Sequence, residues 1–184
     1  LTWDLPAAGW VLSGSGIRDN PDLYQMMREK ALLAAEIEGP GAPAAELAQL
    51  TFAAYNAPFA AEGANAWLSR DAAQVARYNA DPLCGFVASA NFYASMFGGM
   101  LELADRPWPA ADNSPMLLVA GEEDPVGDRG AGVRALGDYF ADQGRPTTVS
   151  LYPGARLELL NELCAEQATG EICNFLRRAA AAAE

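Results

Sequence analysis

The sequence contains no histidine. That removes the commonest general base near neutral pH and the commonest zinc ligand. Lysine occurs once, at Lys30, and arginine supplies the other eleven of 12 basic residues, against 24 carboxylates and a net charge of −12. A surface of that sign repels phosphate backbones and anionic lipid, so no nucleic-acid partner is expected. The same charge also serves plain solubility. Cysteine is scarce. Cys84, Cys164 and Cys173 are odd in number and no pair has C-x-x-C spacing, so reduced, buried thiols in a cytoplasmic protein are expected instead of a disulfide framework. No run of about eighteen apolar residues exists, so no transmembrane helix is expected. The opening "LTWDLPAAGW" lacks the basic leader and apolar core of a signal peptide. Residue 1 is Leu, which fits a processed chain or a piece of a longer one. Neither G-x-G-x-x-G nor G-K-[ST] nor G-x-S-x-G occurs. No metal and no cofactor is expected.

What remains is an ordinary core-forming composition, 51% apolar and 20% charged over 184 residues, which suits one domain or part of a larger one. Three apolar runs read as buried strands: "GWVLSGSG" from Gly9, "MLLVAG" from Met116, and "TTVSLYPG" from Thr147. Helical spacing fills the intervals. Asn20 and Pro21 form an N-cap and first-turn pair for "NPDLYQMMREKALLAAEIE". Further helices are predicted over "AAELAQLTFAAYN", "SRDAAQVARYNADP" with Ser69 or Asp71 as cap, "SANFYASMFGGMLEL", and "DRGAGVRALGDYFADQG". The last two, "LELLNELCAEQ" and "GEICNFLRRAAAAA", are separated by a kink near Thr169 and Gly170.

Strands alternating with helices predict an α/β fold with a parallel sheet. The stretch between the first two strands exceeds what a crossover needs. It divides the chain into a core strand and loop over 1–16, a helical cap insertion over 17–108 and a C-terminal α/β core over 109–184. The first strand would have an open edge, and open edges are covered in stable proteins. Something is therefore expected beside residues 9–14.

Ligands of open parallel sheets bind past the carboxyl ends of the strands. Asp124, just after "MLLVAG", can orient a base there, or can start a turn before Pro125 and cap the next helix. Glu122 and Glu123 beside it are paired carboxylates or solvated loop charges. Phe86, Phe92 and Met96 belong to an aromatic stock that can line an acyl pocket or pack the cap on itself.

Two stretches, "LLVAGEEDPVGDRGAGVRALGDYFADQG" and "VSLYPGARLELLNE", with the cap-like "AWLSRDAAQVARYNADPLCGFVASANFY", resemble α/β-hydrolase-fold serine hydrolases. The type is lysophospholipase-like, monoacylglycerol-lipase-like or serine-aminopeptidase-like, and the likeness is to the C-terminal portion of the fold. The resemblance implies three parallel strands with flanking helices and a helical cap, acting on carboxylic, lipid-like esters. It places Asp124 as the triad acid and Leu157 at the position of the triad histidine. The nucleophile would lie on a strand before residue 1, so the resemblance implies inactivity for this chain alone. The partner it implies is the N-terminal half of the fold, or another chain, covering 9–14, with a lipid-like ester as ligand. The alternative is a non-catalytic pseudo-hydrolase that binds without turnover.

Overall fold

A computed structural model describes residues 7–16, 20–105 and 113–183. Three strands, β1 (Trp10–Ser13), β2 (Met116–Gly121) and β3 (Thr147–Tyr152), form a parallel sheet in the order β1-β2-β3. Ser13 pairs with Val119 and Gly121 with Tyr152, so all three strands end at one rim. All six residues of β2 are buried, as its uninterrupted apolar run requires of a central parallel strand. Among the described residues β1 pairs only with β2, which leaves its other edge open.

The helices are α1 (Pro21–Glu38), α2 (Ala45–Asn56), α3 (Ala72–Ala80), α4 (Ala90–Asp105), α5 (Ala131–Asp142) and α6 (Ala165–Ala182). The described chain divides into two compact units, one of 7–16, 61–77 and 113–183, the other of 20–60 and 78–105.

In the first unit, α5 and α6 cover opposite faces of the sheet. Leu117 and Val119 pack with Tyr152, Leu159, Ala168 and Phe175 on the α6 side. On the α5 side, a Cβ at Gly137 would stand 2.5 Å from Val149 and 3.6 Å from Leu118, so α5 lies close on the alternate residues. In the second unit, Met27, Ala31, Leu47, Tyr93, Ala94 and Phe97 form a separate core. The Asn20 side chain caps α1 by accepting from Leu23 N at 3.1 Å, with Pro21 in its first turn. Asp71 likewise caps α3, accepting from Ala73 N at 2.9 Å. No described helix is long and apolar enough to cross a membrane.

The insertion drawn over 17–108 has both its ends outside the described residues; among the described residues, 61–77 groups with the sheet unit. One expectation differs from the structure. "LELLNELCAEQ" is not a helix of its own. It holds a single 3-10 turn, Leu159–Asn161, and α6 then runs unbroken from Ala165 through Gly170 to Ala182. Glu158 N bonds outward to Leu68 O, and Leu163 N is taken by the Glu162 side chain, so neither donates along a helix here.

Candidate functional site

Three segments make the rim beyond the strands: 14–16, 121–130 and 153–163. Asp124 is fully buried. Its Oδ1 accepts from Val126 N at 2.8 Å and its carbonyl accepts from Arg129 N at 2.8 Å. These bonds fold a turn in which Asp128 and Arg129 both have φ of 50° before Gly130 at 83°. Left-handed backbone is costly for non-glycine residues and persists only where neighbouring bonds over-determine it. Asp124 thus starts a turn, but α5 begins from Gly130 without a side-chain cap. Glu122 and Glu123 are exposed, Glu123 lying 4.0 Å from the Arg129 guanidinium. No group of three His, Cys, Asp or Glu residues suited to a metal ion occurs among the described residues.

Leu157 is half-buried in the segment after β3. A Cβ on Gly14 would stand 2.6 Å from Leu157 Cδ1 and 3.2 Å from its carbonyl oxygen, and Gly14 also has φ of +60°. Space and backbone together therefore demand glycine there. The segment is tied to the Asp124 loop through Glu122 N to Tyr152 O at 3.0 Å and Glu123 N to Ala155 O at 2.9 Å. Gly121 permits this closeness, since a Cβ there would fall 2.0 Å from Ala155 O. Asp124 and Leu157 thus follow adjacent strands at one end of the sheet, in loops bonded to each other.

On its other side the Leu157 segment is bonded to residues 62–71. Glu158 N donates to Leu68 O at 2.9 Å, and Ser69 Oγ to Asn161 O at 2.8 Å. Arg156, buried, donates to Ala66 O at 2.7 Å, to Ser69 O at 3.2 Å and to Glu62 at 2.7 Å. That bond holds the Glu62 carboxyl below its usual pKa. Glu162, with a wholly buried side chain, accepts from Arg70 N at 2.8 Å, Arg70 Nε at 3.0 Å, Arg156 N at 3.1 Å and Leu163 N at 2.8 Å. Charged side chains this buried are retained where they are paired and hydrogen-bonded.

Phe86, Phe92 and Met96 lie in the second unit. Phe86 and Phe92 are exposed, Phe92 meeting Tyr93 edge-on, and Met96 packs on that unit's core. The three cysteines are free. Burial, with the Glu162 carboxylate adding to it, pushes the Cys164 thiol up, so it stays protonated at neutral pH and is no ready nucleophile. Sequence reasoning missed Glu62, Arg70, Arg156 and Glu162, because their partners lie some ninety residues away and leave no local spacing to read.

The sequence model of the family described as "Serine aminopeptidase, S33" matches residues 3–164. No curated protein sequence matches the chain. Among solved structures, a lipase in its open form aligns with TM-score 0.79 at 25% identity, over 94% of this chain and 57% of its own. A thermostable carboxyl esterase from Bacillus coagulans in complex with glycerol aligns with TM-score 0.79 at 22% identity, over 96% and 58%. The monoacylglycerol lipase of Paleococcus ferrophilus aligns with TM-score 0.62 at 21% identity, over 94% and 59%. The chain therefore spans under three fifths of the length of these structures. It belongs to the serine aminopeptidase S33 family, and its sheet and flanking helices are a partial α/β-hydrolase fold of lipase and esterase type.

Proposed function

We propose that this chain carries the acid and base positions of a hydrolase site for carboxylic, lipid-like esters, with the base position filled by a hydrocarbon. Asp124 is the acid and Leu157 stands where the imidazole belongs. The nucleophile is supplied by a strand that pairs with the open edge of β1, from elsewhere in a longer protein or from another chain. Supporting this is one geometric observation: buried Asp124 and half-buried Leu157 follow adjacent parallel strands in loops bonded at 3.0 and 2.9 Å. The lipid-like substrate class rests on the lipase and monoacylglycerol lipase among the similar structures.

Loss of the base of such a triad lowers turnover by a factor on the order of 10⁶. With no histidine in the chain, ordinary ester turnover is absent. The same absence favours a second reading, a non-catalytic binding module that holds an ester or a protein partner without cleaving it. Free thiols fit a reducing, cytoplasmic setting for either.

The variant Leu157→His places the only imidazole in the protein at this position, so its titration is read by NMR without assignment. Its pKa is compared with that in Leu157→His/Asp124→Asn. A drop of about one unit or more on losing the carboxylate is expected for a pair in contact. Equal pKa values contradict the acid and base assignment.

A further inference from the structure

We propose that Glu162 is the positioning residue for position 157, acting through the 62–71 segment; this rests on the reading of 157 as the base position. Residue 157 is flanked by two bonded backbone N–H groups, one closing its own loop and one reaching the 62–71 strap. Arg156 N donates to Glu162 Oε1 at 3.1 Å, and Glu158 N donates to Leu68 O at 2.9 Å. The Cα of residue 157 is thereby held between Glu162 in its own loop and Leu68 on the strap. Glu162 fixes the strap as well, since the same oxygen accepts from Arg70 N at 2.8 Å and the other accepts from Arg70 Nε at 3.0 Å.

The carboxylate is thus a four-way junction. It joins the residue before 157, the residue after itself, and both the backbone and the guanidinium of Arg70. Its side chain has no exposure to water, so each lost bond leaves a buried carboxylate oxygen less well satisfied. Arg156 completes the frame from the opposite direction, its guanidinium spanning Ala66 O, Ser69 O and Glu62. The frame is intact although the side chain at 157 has no proton to transfer. What is held is a location opposite Gly14 and beside the Asp124 loop, not a particular functional group.

The test is a cycle on the full chain. The imidazole pKa is measured in Leu157→His and in Leu157→His/Asp124→Asn, and the same pair is measured again with Glu162→Gln added. Differences within each pair cancel the direct charge effect of Glu162. The first difference is expected to be about one unit or more, and the second to be less than half of it. Amide exchange at Arg156 and Glu158 is expected to rise about tenfold or more with Glu162→Gln, while Leu118 in β2 is unchanged. Should Glu162→Gln fail to fold, Arg70→Gln removes the guanidinium bonds to Glu162 and to Pro153 O and is expected to reduce the difference to a lesser degree. A first difference that is present and unaltered in either variant overturns the positioning role and leaves the acid and base assignment standing. Absence of the first difference overturns both.

Discussion

Replacing Gly121 by alanine forces apart the two loops that carry Asp124 and Leu157. A Cβ at Gly121 would lie 2.0 Å from Ala155 O, 2.3 Å from Ala155 C and 2.5 Å from Arg156 O. All three are backbone atoms, so no side-chain rotation relieves the clash. The 155–156 backbone must retreat by about 1 Å to reach the shortest contact that real Cβ atoms show. The bonds Glu122 N to Tyr152 O and Glu123 N to Ala155 O, now at 3.0 and 2.9 Å, leave hydrogen-bond range when stretched that far. Overpacking costs about 1–3 kcal/mol and the two bonds about 1 kcal/mol each. Together these give about 3–5 kcal/mol, or a fall in Tm of about 10 °C for a chain of this size. Urea and thermal unfolding followed by near-UV circular dichroism measure it. In the Leu157→His background the same change should also remove the dependence of the imidazole pKa on Asp124. A Gly121→Ala variant within about 0.5 kcal/mol of wild type would refute the close approach of the two loops.

Gly99→Ala should act with the opposite sign, because Gly99 is an exposed residue inside α4 with nothing within 4 Å of a Cβ; a gain of about 0.5–1 kcal/mol is expected in urea unfolding. Alkaline pH should destabilise the fold through Tyr152, whose phenol is pushed up from 10.0 by burial first and then by its hydrogen bond to Glu171. The folded phenol keeps its proton while the unfolded one loses it, so stability is full below about pH 10 and falls above it by at most about 1.4 kcal/mol per pH unit. Tyr152→Phe should flatten that fall in urea midpoints taken across pH 9 to 11, and an unchanged slope would count against it. On the acid side, Glu62 has its pKa lowered by Arg156, so its contribution is present above 4.5 and lost as pH drops below. Because the Glu62 side chain is 54% exposed, Glu62→Gln should move the midpoint little. Glu162→Ala, at a wholly buried carboxylate, should cost about 3–5 kcal/mol.

Much of the sheet was legible in the sequence. Met116–Gly121 is an uninterrupted apolar run and occupies the centre of the sheet, where both faces are covered. Asn20 with Pro21 marked the start of α1 because capping is a local interaction. The residues after 157 were not legible. Their spacing suits a helix, but Glu158 N goes to the distant Leu68 O and Leu163 N to the side chain of Glu162, whose buried carboxylate is held by Arg70, and such tertiary bonds override local propensity. For the same reason the bonds that Ser69, Arg70 and the carbonyls of 62–71 make to the loop after β3 were not legible. The position of Asp124 was legible from a strand ending in Gly121; its complete burial was not, because nothing in "GEEDPVGD" distinguishes it from the exposed Glu122 and Glu123.

Ester turnover by the purified 184-residue chain bears most directly on the claim that its site lacks a working base. With p-nitrophenyl butyrate or a monoacylglycerol, release should equal the protein-free blank, in wild type and in Asp124→Asn alike. Sustained hydrolysis by the wild-type chain that disappears in Asp124→Asn would contradict it.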